Sequence, residues 1–390
     1  MNSVYDMSGG TLLAIYESDG TELSTAYDVD GNAVFNEDAF DVFADYEDAI
    51  SNSIIPNALE PISADFGTLQ YVGGICVNNK IYCTPNSADD ILVYDIAEDD
   101  PYKIGSGLGT NQFKYTGQIY YNGKIYMLHR GVNNMIEIDP SDDSYRLISL
   151  DLGYTVNPYG DYRDSYQYNG VISNKGFLYQ PPAYNNTDLL KINMRTFAVE
   201  KIPFTSAQTG TWIGCVKHPT QDKIIFLSSK VFRVWDCSTD TYTDVYDGTT
   251  RACYDMVYDP RYNCFIGVYP NHFFALLLND YSVIDSDYRN YMSTGYGISI
   301  GLDGRYYHLE GSNAYYGIFD GEAFVSGAMQ YIAGTGNFGD ASPYIAGQAI
   351  DTEGNIYGIP ASGNMSRLSF KNVLTTLDAR TVSSQWYGKY

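Results

Sequence analysis

The chain has 390 residues, and its 23 Lys and Arg residues stand against 47 Asp and Glu residues, a formal net charge of −24 at pH 7. This charge, with no cluster of basic residues, argues against binding to nucleic acid and against adhesion to anionic membranes, because both need grouped Lys and Arg. The length favours two domains or one domain built from repeats, and the hydrophobic content of 44% excludes bulk disorder.

Residues 1–65 begin with two short predicted hairpins. The segments Tyr16-Glu-Ser-Asp-Gly-Thr-Glu-Leu and Tyr27-Asp-Val-Asp-Gly-Asn-Ala-Val each predict a strand, an Asp-Gly turn and a second strand. An acidic stretch from Glu37 to Ile50, either a short helix or a loop, follows them. Hairpins of this size bury little apolar surface by themselves. We therefore expect residues 1–65 to be an assembly or anchoring segment that docks on the rest of the chain or on another chain.

Residues 66–390 contain a repeated strand pattern. The segment from Tyr71 reads Tyr-Val-Gly-Gly-Ile-Cys-Val-Asn-Asn-Lys-Ile-Tyr, and the segment from Tyr115 reads Tyr-Thr-Gly-Gln-Ile-Tyr-Tyr-Asn-Gly-Lys-Ile-Tyr. Units of roughly 40 to 50 residues indicate an architecture of repeats. Five further copies begin near Tyr168, Trp212, Ala252, Gly295 and Tyr344.

Each unit is predicted to form four short strands. In the second unit these are Gly117–Tyr121, Lys124–Leu128, Met135–Asp139 and Tyr145–Leu150. The Asn122-Gly123 pair between the first two is a strong hairpin signal, since a type I′ turn needs positive φ at both central residues. Seven such units predict an all-β fold, a seven-bladed β-propeller with a small N-terminal anchoring segment.

The repeats resemble those of Kelch-type and quinoprotein-like propellers, through the pattern x-Gly-x-Ile-x-Asn-Gly-Lys-Ile-Tyr and the later Asp-Pro-x-x-Asp. This resemblance covers most of the chain and implies the architecture, whereas propellers host many functions. The Tyr-Asp-Val-Asp-Gly-Asn tandem resembles short N-terminal modules of phage tail-associated and host-attachment proteins. That second resemblance implies a virion protein, made in the host cytoplasm, whose residues 1–65 contact other virion proteins in an oligomeric particle.

The sequence indicates neither a secretory signal nor a membrane span. The start, Met1-Asn-Ser-Val-Tyr-Asp, lacks the basic and apolar regions of a signal peptide, and no stretch reaches about 18 apolar residues. The 39 Tyr residues indicate half-buried sheet, a tyrosine-rich recognition surface, or both. The six Cys residues lie singly in strand-like segments without a CxxC pair, which favours reduced buried thiols over disulfides or metal ligands. They are Cys76, Cys83, Cys215, Cys237, Cys253 and Cys264.

No catalytic constellation is recognisable in the sequence. The four His residues form no HExxH motif, and neither a nucleophile elbow nor a P-loop occurs. We therefore predict no catalytic residue, no metal site and no cofactor. One calcium alternative stays open, because Asp28, Asp30 and Asn32 could offer oxygen ligands, although Gly31 does not stand where an EF-hand needs its glycine.

A ligand-binding surface is predicted from topology. In a propeller, the loops from second to third strand, and from each fourth strand to the next blade, gather at one end of the channel. We call this surface the loop face. His218, in a turn predicted at the opposite edge, is interpreted as structural. Aromatic rings beside charged and polar groups suit sugar recognition, and the candidate residues are His129, Arg130, Tyr159, Tyr162, Arg163, Trp212, Arg251, His272 and Glu310.

These features favour a non-enzymatic protein of a phage tail or fibre that binds a host-surface glycan or protein. Two alternatives stay open. One is a structural or decoration scaffold that binds nothing outside the particle. The other is a polysaccharide lyase or hydrolase that uses Tyr and His of the loop face as base and acid. We expect no nucleic-acid partner and no membrane insertion.

Overall fold

The computed structural model describes a large part of the chain, and every structural statement below refers to that part. The described residues form thirty β-strands and no α-helix. The chain divides after Ser53 into two units, Met1–Ser53 and Ile54–Tyr390. The described residues are 25–27, 33–36, 59–62, 70–109, 114–153, 170–182, 188–204, 212–228, 231–245, 255–269, 272–286, 297–301, 303–310, 313–325, 330–334, 345–360 and 363–370.

The described part of the first unit is one antiparallel hairpin. Strand β1 (Thr25–Tyr27) pairs with β2 (Ala33–Asn36) across the Asp-Gly pair of the second tandem copy. The first tandem copy, the stretch from Glu37 to Ile50 and the calcium candidates Asp28, Asp30 and Asn32 lie outside the described residues.

The second unit contains the remaining strands, which fall into seven groups. Before the first group stands β3 (Leu59–Ile62). Blades 1 to 3 contain β4 (Tyr71–Val77), β5 (Lys80–Pro85), β6 (Ile91–Asp95), β7 (Asp100–Ile104), β8 (Tyr115–Tyr121), β9 (Lys124–His129), β10 (Asn134–Asp139), β11 (Ser144–Ser149), β12 (Val171–Ile172), β13 (Phe177–Gln180), β14 (Asp188–Asn193) and β15 (Val199–Pro203). Blades 4 and 5 contain β16 (Trp212–Lys217), β17 (Lys223–Ser228), β18 (Phe232–Asp236), β19 (Thr241–Val245), β20 (Met256–Asp259), β21 (Cys264–Tyr269), β22 (His272–Leu277) and β23 (Val283–Asp285). Blades 6 and 7 contain β24 (Ser299–Ile300), β25 (Tyr306–Glu310), β26 (Asn313–Gly317), β27 (Gln330–Ala333), β28 (Ile345–Ile350), β29 (Ile356–Pro360) and β30 (Met365–Leu368).

Every blade is a four-stranded antiparallel sheet. In blades 1 to 6 the strands lie side by side in chain order, so each blade is a meander of consecutive strands. Blade 7 has the order β28-β29-β30-β3, and its fourth strand therefore comes from the other end of the propeller unit. The predicted seven-bladed propeller is confirmed, and each blade begins near one of the predicted repeat starts.

The pairing of β3 with β30 closes the ring. Leu59 lies opposite Leu368 in the register, and the Arg367 guanidinium contacts the Glu60 carboxylate at 2.9 Å. Pro61 is tolerated in β3 because an outermost strand need not donate every backbone N–H. The repeats place the start of the propeller at residue 66, whereas the structure assigns four earlier residues to its last blade. The difference arises because β3 completes a sheet begun by the final repeat.

The hydrophobic core consists of seven layers between neighbouring blades. Each cluster of buried apolar side chains contains residues of two adjacent blades, and together the clusters cover every junction of the ring. The junction of blades 7 and 1, for example, packs Ile359 and Tyr357 with Ile81 and Tyr94. A blade is thus too thin to bury an apolar face alone and becomes stable only against its neighbours.

Buried tyrosines donate hydrogen bonds from their hydroxyl groups to acidic side chains. Tyr179 donates a hydrogen bond of 3.1 Å to Asp240 of the next blade, and Tyr307 donates one of 2.6 Å to Asp303 of its own hairpin turn. Such pairs let a large ring fill the core while its hydroxyl is satisfied. These buried tyrosines therefore serve blade packing.

Candidate functional site

The loop face is recognisable from where the strands end. Strand β9 ends at His129, β22 begins at His272 and β25 ends at Glu310. These are the second-to-third connections of blades 2, 5 and 6. Because the blades share one topology, these three connections open at the same edge of the propeller as the inter-blade connections.

Backbone carbonyls tether the loops of this face in blades 1 and 2. The carbonyl of Gln70, just before β4, accepts hydrogen bonds from the N–H groups of Asn86 at 2.7 Å and Ser87 at 3.1 Å. The carbonyl of Lys114, just before β8, accepts the N–H groups of Arg130 at 2.8 Å and Gly131 at 3.1 Å. The start of each first strand thus holds the second-to-third loop of the same blade.

Lys114 is a buried amine in this loop network. Its side chain is 1% exposed, and Nζ donates to the carbonyls of Ala88 and Gly109. Burial lowers the pKa of Lys114 to about 8, against the opposing influence of Asp89 and Asp90. With its own N–H bonded to the Asn86 carbonyl at 3.0 Å, Lys114 joins connections of blades 1 and 2.

His129 and Arg130 are part of the packing. The His129 ring is fully buried, and burial lowers its pKa to about 4, so the imidazole is neutral at pH 7. Its carbonyl accepts a hydrogen bond of 2.9 Å from Gln180 of blade 3. Arg130 is 6% exposed. Neither side chain presents the open surface that a glycan would need.

Trp212 lies in an aromatic cluster rather than at the surface. It is 5% exposed, and its ring centroid lies 4.9 Å from that of Phe204. The fully buried Arg233 guanidinium lies 5.0 Å from the Trp212 centroid and makes a bidentate pair with Asp244 at 2.6 and 2.8 Å. Trp212 therefore contributes to the stability of blade 4.

Of the other candidates, one is partly buried, and the rest have side chains that the structure does not describe. The His272 ring is partly buried, with Nε2 at 3.8 Å from Asp285 Oδ1. Glu310 is placed as the last residue of β25, and its side chain lies outside the description. Tyr159, Tyr162, Arg163 and Arg251 also lie outside the described residues.

The remaining histidines have structural partners. His218 Nδ1 accepts the N–H groups of Thr220 at 3.3 Å and Gln221 at 3.1 Å, which fits the predicted structural role. The fully buried His308 contacts the Gly297 carbonyl through Nδ1 at 2.7 Å.

The propeller axis contains a cavity of about 270 Å³. Residues from the first strand of every blade line the cavity, and some further lining residues lie directly before or after these strands. Each blade contributes at least one branched aliphatic side chain to the lining, and most of these are only partly buried. We call this set the aliphatic ring: Ile75, Ile119, Val171, Val216, Val257, Ile300 and Ile350.

Polar residues share this lining, among them Gln118, Gln348, Asp255 and Lys217. Gln118 Nε2 donates to the Gly74 carbonyl at 3.1 Å, and the amide of Gln348 accepts from Ser299 Oγ at 2.8 Å. Asp255 directly precedes β20, whereas Lys217 ends β16. All first strands run from the loop face to the hairpin turns, so Asp255 and Lys217 mark opposite ends of the cavity.

Neither the cavity nor the burial of Lys114 is predicted above, although the sequence contains a signal for the cavity. The Ile of the repeated x-Gly-x-Ile pattern supplies Ile75 and Ile119, and the same strand position supplies Val171. Lys114 has no comparable signal, because a single Lys before a strand does not reveal its burial.

The described residues offer no metal site or membrane span. Among them, no group of three or more His, Cys, Asp and Glu side chains is arranged to hold a metal ion. In the same part of the chain, no helix has the length and apolarity required to cross a membrane. Five cysteines are buried and unbridged, while Cys253 is not described. Burial raises the pKa of Cys76, Cys237 and Cys264 to about 12, which keeps these thiols protonated.

Comparison with solved structures supports the fold. The chain aligns over 79% of its length with 98% of a catalytically inactive virginiamycin B lyase from Staphylococcus aureus in complex with quinupristin, with a TM-score of 0.62 and 9% identity. It aligns over 76% of its length with 94% of hydrazine synthase from Kuenenia stuttgartiensis, with a TM-score of 0.54 and 10% identity. Identities this low show a shared fold and nothing finer.

A third structure is longer than this chain. The extracellular domain of a protein described as a hybrid two-component system from B. thetaiotaomicron aligns with 80% of the chain, with a TM-score of 0.60 and 12% identity. The chain spans 40% of the length of that domain. No family model and no curated protein matches the chain. The resemblances to Kelch repeats and to phage modules therefore stay hypotheses.

Proposed function

We propose that the protein is a non-enzymatic binding propeller of a phage virion, which contacts a host-surface glycan or protein through its loop face. In this proposal residues 1–65 supply contacts to other virion proteins. The observation that carries the binding role is that the carbonyls of Gln70 and Lys114 tether the second-to-third loops of blades 1 and 2, which belong to the same face as the proposed recognition loop. Loops held on a rigid scaffold lose less conformational entropy when they bind a partner.

Two titratable residues of the loop face, His129 and Lys114, are unsuited to acid-base catalysis. His129 is neutral and fully buried, and the Lys114 amine is engaged by two carbonyls. A general base needs to reach its substrate proton within hydrogen-bond distance, which these buried groups do not. Recognition is assigned to the inter-blade loop with Tyr159, Tyr162 and Arg163.

The negative charge of the chain is the main physical obstacle to this function, since bacterial surfaces are usually anionic. Screening limits the reach of that charge to about 8 Å at physiological salt. In this proposal the local positive charge comes from Arg163 and Arg251, which lie outside the described residues. Attachment is therefore expected to strengthen modestly as salt rises from low to physiological concentration.

The test is binding of the purified protein to host cells and to a glycan array. We expect Arg163→Ala or Tyr162→Ala to weaken binding about tenfold, as loss of a hot spot does. Arg146→Ala is the matched control, because Arg146 lies on the outer strand of blade 2 with an exposed side chain. Unchanged binding by both loop variants, with the fold intact, would contradict host recognition and favour the scaffold alternative. Detection of the chain in purified particles, by mass spectrometry and electron microscopy, tests the virion assignment separately.

A further inference from the structure

We propose that the axial cavity is a binding site for a small apolar carboxylic acid, held with its carboxylate at Lys217. This site is separate from the proposed loop face, and its occupant does not depend on the virion assignment. The cavity, the aliphatic ring and the arrangement of polar groups carry the inference.

The size of the cavity suits a small molecule. Its volume is about 270 Å³. An apolar protein cavity of about 150 Å³ binds benzene, and typical ligand pockets begin near about 300 Å³. A molecule between these limits, such as a medium-length aliphatic acid, is therefore the expected occupant.

The wall of the cavity favours an apolar body. All seven blades contribute an aliphatic side chain, and six of the seven, including Ile75, Ile119 and Val216, are only partly buried by their own packing. Water in contact with such a wall gains few hydrogen bonds, and an apolar ligand would remove this surface from water.

One cation favours a carboxylate at one end. Lys217 is exposed, lines the cavity and makes no salt bridge with any described residue. A ligand carboxylate beside this ammonium would accept a charge-assisted hydrogen bond, while the apolar part of the ligand lies against the aliphatic ring.

The position of Asp255 sets the orientation. Asp255 precedes β20 and lies toward the loop face, whereas Lys217 lies toward the hairpin turns. A carboxylate placed beside Asp255 would be repelled. The acid is therefore oriented with its charged end toward the hairpin edge and its aliphatic end toward the loop face.

The test uses the purified full chain, with octanoate and 1-octanol as probes in calorimetry and thermal denaturation. We expect octanoate to bind and to raise the melting temperature, and Lys217→Ala to weaken octanoate about tenfold, as loss of a charge-assisted hydrogen bond does. Binding of 1-octanol to Lys217→Ala should match the wild type. Lys175→Ala is the matched control, because Lys175 lies exposed in the hairpin turn of neighbouring blade 3 and does not line the cavity.

A second arm tests the location of the site. Val216→Phe should fill part of the cavity and abolish binding of both probes while the propeller melts cooperatively. If Val216→Phe does not fold, Ile119→Phe provides the same test from blade 2. Absence of octanoate binding to the wild type at millimolar concentration, or equal effects of Lys217→Ala and Lys175→Ala, would overturn the proposal. Host-cell binding plays no part in either arm, so failure here is distinguishable from failure of the proposed function.

Discussion

The hydroxyl of Tyr82 donates a hydrogen bond of 2.5 Å to Asp143, a residue of the neighbouring blade. The same carboxylate accepts Lys80 Nζ at 2.7 Å and Tyr102 OH at 2.6 Å, so three donors of blade 1 meet one acceptor of blade 2. Asp143 stands in the left-handed region with φ of 59°, which Asp and Asn tolerate better than most residues. One turn residue thus supplies a polar connection across a blade junction.

Asp143→Asn should destabilise the propeller by about 1 to 3 kcal/mol, because the charge that holds three donors is removed while backbone preference and size are kept. Urea denaturation measures this change. Asp142→Asn is the control, since Asp142 is exposed and, among the described residues, accepts only the local N–H of Ser144. Equal stability of the two variants would show that the junction does not depend on the Asp143 charge.

Stability should fall as the pH drops from about 6.5 toward 4, partly through His129. In the unfolded state the His129 imidazole has its ordinary pKa of about 6.5, whereas burial lowers the pKa of His129 to about 4 in the folded state. The contribution of neutral His129 is fully present above pH 6.5 and decreases by up to about 3 kcal/mol as the pH falls to 4. Denaturant titrations at several pH values measure the slope. His129→Asn should reduce the dependence of stability on pH. An unchanged dependence would show that other groups cause it, among them His218, whose pKa is also lowered by burial.

Removal of β3 should open the ring, whereas removal of the first unit should not. A deletion of residues 1–53 leaves β3 in place and is expected to melt near the wild-type temperature. A deletion of residues 1–62 removes Leu59 and Ile62 from two core layers, at about 2 to 5 kcal/mol each. This loss is comparable with the whole stability of a domain. Calorimetry and circular dichroism compare the two deletions, and equal melting would contradict closure by β3.

Trp212→Ala should destabilise blade 4 by about 3 to 5 kcal/mol, because it opens a void between Phe204 and the buried Arg233. Leu147→Ala serves as the control, since Leu147 is 48% exposed on an outer strand and should change stability by less than about 0.5 kcal/mol. A normal melting temperature for Trp212→Ala, with weakened attachment to host cells, would indicate that Trp212 binds the ligand.

Local turn chemistry made the blades predictable. Asn122 and Gly123 both have positive φ, 49° and 76°, as the type I′ prediction requires. The same conformation recurs at Asn78 and Asn79, which align with that pair in the repeat. Alternating strands and such turns are set by nearby residues, and their physical cause is therefore visible in a short stretch of sequence.

Relationships between distant segments were not predictable in this way. Nothing in Leu-Glu-Pro-Ile of β3 indicates that its partner is β30, because the pairing is long-range and the strand is short. The burial of His129, Trp212 and Lys114 was equally unpredictable from the sequence. Each precedes or follows a loop, which suggested exposure, yet neighbouring blades cover all three.

Closure by β3 also imposes an order on biosynthesis. The contact between Glu60 and Arg367 joins residues separated by 307 positions, so β3 leaves the ribosome long before its partner exists. Loop closure over such a separation is slow, and until it occurs both β3 and the edge of β30 are open to pairing with other chains. The nascent protein therefore has a period of vulnerability to strand exchange that ends only when the last blade is translated.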